Sequence, residues 1–318
     1  MSVYDFRKSI SSALLMSSND IFRLIIRAPH TYKSYAIAKK SGGIRLIAQP
    51  AKETKYIQRI LMDELFVRLP VHPCAAAYRE GASIKKNAEL HKANQYISKF
   101  DFTNFFGSIK QVDISEHLVA CFGEELSEQT VKDISRVSCI KHKTASDLCL
   151  SIGAPSSPVL SNSVMWYFDR IVSEWCEERG ITFTRYADDL TFSSNIKGIY
   201  TQIEPFLSEL LEKLPYPRLS LSAKKTIHLS KKNQRRVTGL VLSNEGRVSL
   251  GRERKRLISA MIHGYKCNRL TEEQILHLQG LLGFAEDAEP LFVSRMRSKY
   301  GVVVISELFQ KRSKKIDK

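Results

Sequence analysis

The apolar positions of this 318-residue chain change period several times, and each change predicts an element. Over residues 52–69, Ile57, Ile60, Leu61 and Leu65 share one helical face, and Pro70 supplies a stop. Residues 96–102 form an apolar run of strand length. Asp113 followed by Glu116 predicts a capping box for a helix reaching Phe122. A single long helix is expected over 158–178, carrying Leu160, Val164, Met165, Phe168, Ile171, Val172 and Trp175, with Gly180 at its C-terminal stop. The period then falls to two at 181–186 and again at 190–193, a hairpin with Ala187-Asp188-Asp189 at or near its turn. A helix near 200–214 follows, then short strands at 218–222 and 236–243, with a hairpin turn at Asn244-Glu245-Gly246. From Arg252 the pattern is helical, and Thr271 with Gln274 makes a second capping box ahead of Ile275, Leu278 and Leu282. The tail, 311–318, is polar and expected to fray. These elements describe a mixed sheet with helices packed on it, followed by a small helical, basic unit.

Composition narrows this picture. Hydrophobic residues at 43% and charged residues at 26% are ordinary for a globular chain, and the length suits one large domain or two to three subdomains. The longest apolar runs are too short to span a bilayer, and the N-terminus lacks a secretory pattern, so a cytoplasmic protein with no membrane partner is expected. Six scattered cysteines without a CxxC pair predict free buried thiols rather than a zinc site or a disulfide framework. The balance of 49 Lys+Arg against 33 Asp+Glu, a net +16, favours a polyanionic partner. Residues 224–256 concentrate that excess, with eleven Lys or Arg against Glu245 and Glu253. Such a stripe suits a phosphate backbone, although a merely solvated basic face would carry the same charge.

The candidate chemistry lies in carboxylates. Adjacent Asp188 and Asp189 repel each other and are poor strand formers, a cost that a divalent cation would reverse through hard oxygen ligation. Asp101 ends a separate apolar strand. Were the two strands neighbours, three carboxylates would meet, as two metal ions about 4 Å apart require for phosphoryl transfer. An Asp-Asp pair by itself is also a common turn; flanked by two alternating strands, Tyr186-Ala187-Asp188-Asp189 is less ordinary.

Three segments, Phe100-Asp101-Phe102-Thr103-Asn104-Phe105-Phe106, Gly153-Ala154-Pro155-Ser156-Ser157-Pro158 and Tyr186-Ala187-Asp188-Asp189, resemble in order and spacing the central palm motifs of reverse transcriptases. The resemblance implies an α+β right-hand polymerase fold: fingers over 1–95 with part of 113–152, palm over 96–243, thumb over 244–318. It implies that Asp101 and Asp188 are the main ligands of two Mg²⁺ ions, with Asp189 more peripheral and the Phe102 carbonyl completing a shell. Phe106 matches the gate that excludes a 2′-hydroxyl, while Phe105 is expected to pack in the core. Gly153 and Ser157 would lie beside template and incoming nucleotide; the glutamine usual before this glycine is replaced by Ile152. Lys224-Lys225-Thr226 resembles the next motif, with Lys225 favoured as a proton donor to the leaving pyrophosphate. Lys39, Lys40 and Arg45 resemble the fingers segment that grips the triphosphate of a dNTP, and an ordinary exposed hairpin would look the same.

Two further segments are similar to marks of bacterial retron reverse transcriptases: Asn87-Ala88-Glu89-Leu90-His91 (NAxxH) and Val237-Thr238-Gly239 (VTG). The resemblance implies an enzyme that copies a cognate structured non-coding RNA into DNA from a guanosine 2′-hydroxyl. The branched RNA–DNA product would act with an effector protein in anti-phage defence. Asn87, His91, Val237, Thr238 and Gly239 are assigned to RNA recognition or local architecture, and Arg252, Arg254, Lys255 and Arg256 to holding heteroduplex and RNA stem in the thumb. The alternatives are a group II-like or CRISPR-associated reverse transcriptase, or an RNA-binding protein that keeps the fold without catalysis.

Overall fold

A computed structural model describes residues 4–38, 42–142 and 146–310. Lys39, Lys40 and the 311–318 tail lie outside the described residues. The chain divides into two compact units, 1–80 with 98–191 and 198–227, and 81–97 with 192–197 and 228–318.

The first unit opens with helices α1 (Phe6–Leu14) and α2 (Ser18–Arg27), capped by Asp5 and Ser17. Strands β1 (Tyr32–Ala38) and β2 (Ile44–Pro50) form an antiparallel hairpin in which Ala38 pairs with Ile44. Gly42 and Gly43 both take positive φ where the chain reverses. Helix α3 (Lys52–Glu64) buries Ile57 and Leu61 as its pattern requires, and the expected last turn is a separate 3-10 turn, Phe66–Arg68. The chain enters the second unit at α4 (Ile84–His91), capped by Ser83, and returns along β3 (Tyr96–Asp101).

One turn of helix, α5 (Phe105–Ser108), leads into α6 (Gln111–Phe122). Asp113 serves that helix from its third position rather than as its cap: its Oδ2 accepts the Lys110 backbone N–H at 2.7 Å. Helix α7 (Glu128–Val137) packs on α2, α3 and α6. Strands β4 (Ile140–Lys141) and β5 (Leu148–Cys149) form a second small ladder.

The long helix expected over 158–178 is two, α8 (Ser157–Val164) and α9 (Trp166–Glu177), parted at Met165. The run Ser161-Asn162-Ser163 accounts for the break. Ser161 Oγ bonds back to the Pro158 carbonyl at 2.9 Å and Asn162 turns its amide outward to another segment, so short polar side chains compete with the helical ladder. Strands β6 (Thr182–Tyr186) and β7 (Asp189–Ser194) form the expected hairpin, and α10 (Tyr200–Lys213) follows. Leu221 makes only an isolated bridge where a strand was expected; the strand comes later, as β8 (Ile227–Ser230). The four-stranded sheet has the order β6-β7-β3-β8, which puts the strand ending in Asp101 beside the strand that starts with Asp189.

In the second unit the strand expected at 236–243 is a tight hairpin, β9 (Arg235–Val237) and β10 (Leu240–Leu242), continued by β11 (Val248–Ser249) across the expected Asn244-Glu245-Gly246 turn. Thr238 and Gly239 form its reversal, both with positive φ. Four helices complete the unit: α11 (Arg252–Lys266), α12 (Glu272–Ala288), α13 (Pro290–Tyr300) and α14 (Val302–Gln310). The Thr271–Gln274 capping box is present at the start of α12. Val237, Leu240, Ile258, Ile262, Leu278, Leu282, Val293 and Ile305 form a continuous apolar core with Ala88 of α4. Of the six free cysteines, Cys139, Cys149 and Cys176 are buried, whereas Cys267 is exposed on the surface.

Candidate active site

Three backbone segments of the first unit are tied together at Asp101. Its carbonyl accepts the Ser222 N–H at 2.8 Å, and the next residue, Phe102, donates its N–H to the Asp188 carbonyl at 3.2 Å. Phe102 also bridges to Leu221. The end of β3, the turn after β6 and the 220–225 segment therefore meet. The Phe102 ring is buried, stacked on Phe105 at 5.7 Å and edge-on to Phe168 at 5.6 Å, which anchors the segment carrying Asp101. Asp188 sits in the two-residue turn and Asp189 begins β7. Lys225 reaches in from the third segment, its Nζ 2.6 Å from Asp101 Oδ1.

The charges of these groups bear on one another. Burial raises the Asp188 carboxyl above its ordinary value and the nearby Asp101 charge raises it further. Asp189 is pushed up to about 6, first by burial; Lys99 opposes the shift, while Asp188, Asp101 and a side-chain hydrogen bond to Asp101 add to it. Lys225 is raised in turn, chiefly by its bond to Asp101. Among the described residues no three His, Cys, Asp or Glu side chains are gathered as a ready-made metal cage, and the Lys225 ammonium is the cation held by Asp101. The donor set nevertheless fits a hard divalent cation. It is all carboxylate oxygen, and burial together with the neighbouring negative charges raises Asp188 and Asp189, a cost that a bound cation would relieve.

Around this cluster lie groups that could meet a substrate. Arg45 is exposed on β2 opposite Ile37, and its charge is close enough to draw Asp188 and Tyr78 downward. Tyr78 holds a left-handed φ of 58° and is 48% exposed; burial of its ring and the Asp188 charge both raise its hydroxyl. Phe106 is half-buried, edge-on to Phe105 at 5.3 Å. Gly153 packs against β2. A Cβ there would meet the Ala48 carbonyl and the Ile47 side chain, both at 2.9 Å, and the Ile152 carbonyl accepts the Ala48 N–H at 2.7 Å. Its glycine is required by close packing on β2. Ser157 is 1% exposed, and its Oγ accepts the Ser151 N–H at 3.3 Å.

Residues 37–242 match the family described as reverse transcriptase (RNA-dependent DNA polymerase). Retron Ec83 reverse transcriptase of Escherichia coli is 37% identical over 303 residues, 94% of this chain and 96% of that protein. Retron Ec73 reverse transcriptase, also from Escherichia coli, is 32% identical over 283 residues, 87% of this chain and 89% of that protein. The chain belongs to the retron reverse transcriptases. Telomerase from Candida albicans, solved in complex with a TWJ fragment of telomeric RNA, aligns with a TM-score of 0.51 at 14% identity over 89% of this chain, which spans 61% of that telomerase. This likeness concerns fold alone, and it agrees with the expected α+β polymerase architecture.

This reverse transcriptase is an RNA-directed DNA polymerase. The structure buries most of the NAxxH and VTG side chains. Asn87 is 1% exposed with neither amide atom hydrogen-bonded, and His91 is fully buried with Nδ1 2.7 Å from Ser193 Oγ. Val237 is fully buried, Thr238 Oγ donates to the Ile84 carbonyl at 2.9 Å, and Gly239 is exposed at the tip of the hairpin. On α11, Arg252 and Arg256 are exposed, whereas Arg254 and Lys255 are partly covered; Lys255 Nζ bonds Glu289 at 2.7 Å.

Sequence reasoning missed a buried group beside the Ala187–Asp188 turn. Arg185, in the middle of β6, is 0% exposed and makes a two-pronged pair with Asp169 at 2.7 and 2.5 Å. The signal was present, since a lone arginine interrupts an alternating strand and a lone aspartate interrupts the apolar face between Phe168 and Val172. Nothing local, however, joined the two.

Proposed function

We propose that this reverse transcriptase copies a cognate structured non-coding RNA into single-stranded DNA, priming from a guanosine 2′-hydroxyl, and that the branched product serves anti-phage defence with an effector protein. The observation that carries the catalytic part is the meeting of Asp101, Asp188 and Asp189 across the Phe102 N–H to Asp188 carbonyl bond. Asp101 and Asp188 would hold two Mg²⁺ ions, with Asp189 supporting them and the Phe102 carbonyl completing the shell. Those ions, when bound, supply electrostatic stabilisation to the attacking and leaving oxygens.

The chain's own groups have separate tasks. Arg45 would draw in the triphosphate of a dNTP as a bidentate cation. Phe106 would close the space next to a nucleotide 2′ position. Lys225, released from Asp101 when metal takes that carboxylate, would carry a proton to the leaving pyrophosphate. Gly153 and Ser157 would set the backbone beside the nucleotide through their packing. The fingers, palm and thumb division follows from the same reading, with Arg252, Arg254, Lys255 and Arg256 tracking phosphates of the RNA and its DNA copy. Because Asn87, His91 and Val237 are closed to solvent, they would shape the surface that Thr238 and Gly239 present rather than touch RNA themselves.

The test is the double variant Asp188→Asn with Asp189→Asn. DNA synthesis should fall by at least about a thousandfold, in line with loss of charge stabilisation at the reacting centre, while RNA binding is retained. Unchanged primer extension by that variant would end the catalytic assignment and favour a purely RNA-binding protein. Nucleic acid extracted with the parent protein should include a branched species sensitive in part to RNase and in part to DNase; linear products alone would remove the retron priming step.

A further inference from the structure

The left-handed turn that carries Asp188 is fastened from below. Ala187 has φ of 57°, an unfavourable conformation for a residue with a Cβ, which persists only where surrounding bonds fix it. Arg185 supplies such a bond, its Nη1 donating to the Ala187 carbonyl at 3.1 Å. The same Nη1 donates to Asn162 Oδ1 at 3.0 Å, while Nε and Nη2 are taken by Asp169. Asn162 in turn donates Nδ2 to the Ala77 carbonyl at 2.7 Å, just before Tyr78. Arg185, Asp169 and Asn162 are each 0% exposed. Three buried side chains from α8, α9 and β6 thus grip both the turn that bears Asp188 and the segment that bears Tyr78.

We propose that Arg185, clamped by Asp169 and Asn162, is a positioning residue that fixes the Ala187–Asp188 turn in the shape needed to bind metal. This rests on the assignment of Asp101, Asp188 and Asp189 as the metal ligands. The guanidinium is suited to the task because its planar fork can serve a carboxylate, an amide oxygen and a carbonyl at once. A lysine would keep a charge opposite Asp169 but offers one nitrogen in place of three. The turn would then lose its anchor while the buried charge pair survives.

The experiment titrates Mn²⁺ into purified metal-free protein, reading free Mn²⁺ by electron paramagnetic resonance, with urea unfolding and RNA binding measured on the same samples. Arg185→Lys should bind Mn²⁺ about 10-fold more weakly than the parent, the scale seen when groups that orient metal ligands are removed. The Mg²⁺ midpoint for primer extension should shift the same way. An affinity within twofold of the parent would overturn the proposal, leaving Arg185 as a folding residue only. Should Arg185→Lys fail to fold, Asn162→Ala decides, since it leaves the Arg185–Asp169 pair intact: about threefold weaker Mn²⁺ binding supports the role, and no change refutes it. Asp188→Asn is the separate control. If that variant binds Mn²⁺ like the parent, the metal-site assignment itself fails, whatever Arg185→Lys shows.

Discussion

Arg185, in the first compact unit, and Arg235, in the second, are both wholly shielded from solvent, yet only Arg185 faces a carboxylate. Burial pulls the Arg185 guanidinium down, and the Asp169 charge and hydrogen bonds more than restore it. Arg235 is lowered by burial with nothing of opposite charge to compensate. Its Nη1 and Nη2 donate to the Asn94 and Ser243 carbonyls, the second at 2.8 Å, and its Nε has no partner. One arginine is part of a neutralised pair beside the Ala187–Asp188 turn; the other is a cationic knot holding two backbone segments of the second unit. An arginine cannot shed its proton, so the two sites must answer the same desolvation cost with different partners.

The comparison breaks most sharply at Asp169. Replacing it by Asn leaves the shape but strands the Arg185 charge in the interior, and stability should drop by about 3–5 kcal/mol. Urea unfolding of Asp169→Asn checks this. The double variant Arg185→Leu with Asp169→Leu removes both charges and should lose less than the single change, because no unpaired ion remains. If the single variant unfolds at the parent's urea concentration, the pair does not hold the unit together.

His117 sharpens the contrast, because it is a buried base that can lose its proton. It is 1% exposed, with Nε2 2.6 Å from Ser163 Oγ and Nδ1 3.3 Å from the Tyr216 hydroxyl. Burial lowers it to about 4. Between that value and its ordinary 6.5 the unfolded chain binds a proton that the folded chain refuses. Stability is therefore unaffected by His117 above about pH 6.5 and falls as pH drops toward 4, by up to about 3 kcal/mol. Melting temperatures of parent and His117→Gln between pH 7 and 5 test this; the variant should show the shallower decline. Parallel curves would mean that His117 takes up its proton in the folded chain as readily as in the unfolded one.

Much of the carboxylate cluster was legible because its signals are local. The alternation on either side of Ala187 forced a hairpin, the apolar run ending at Asp101 forced a strand, and tandem aspartates marked the turn between β6 and β7. Local reasoning failed where meaning depended on a remote partner. Ser161-Asn162-Ser163 looked like part of one continuous helix until Asn162 found the Ala77 carbonyl. The close approach of Gly153 to the Ala48 carbonyl of β2 had no local sign. Asn87 and His91, assigned by motif to RNA recognition or local architecture, are turned inward by the packing of α4 against β9 and β10, which nothing local announces. Periodicity identifies which residues share a face; it does not identify what covers that face.

The smallest of these effects is expected at Arg235 and follows from its lack of an ionic partner. Arg235→Met removes donors from the Asn94 and Ser243 carbonyls, each a charge-assisted bond whose loss destabilises. The same change also removes a charge that burial disfavours and an Nε that bonds nothing, so part of the loss is offset. The net cost should be about 1–2 kcal/mol, below that of Asp169→Asn, and it should be read by urea unfolding under identical conditions. Hydrogen exchange at the Ser243–Arg247 turn should rise in the same variant, because the Ser243 carbonyl loses its Arg235 donor and keeps only the Gly246 N–H at 3.2 Å, beside the Arg247 N–H to Ser243 Oγ bond at 3.1 Å. A cost equal to that of Asp169→Asn would mean that carbonyl oxygens neutralise a buried guanidinium as well as a carboxylate does, and the distinction between the two arginines would disappear.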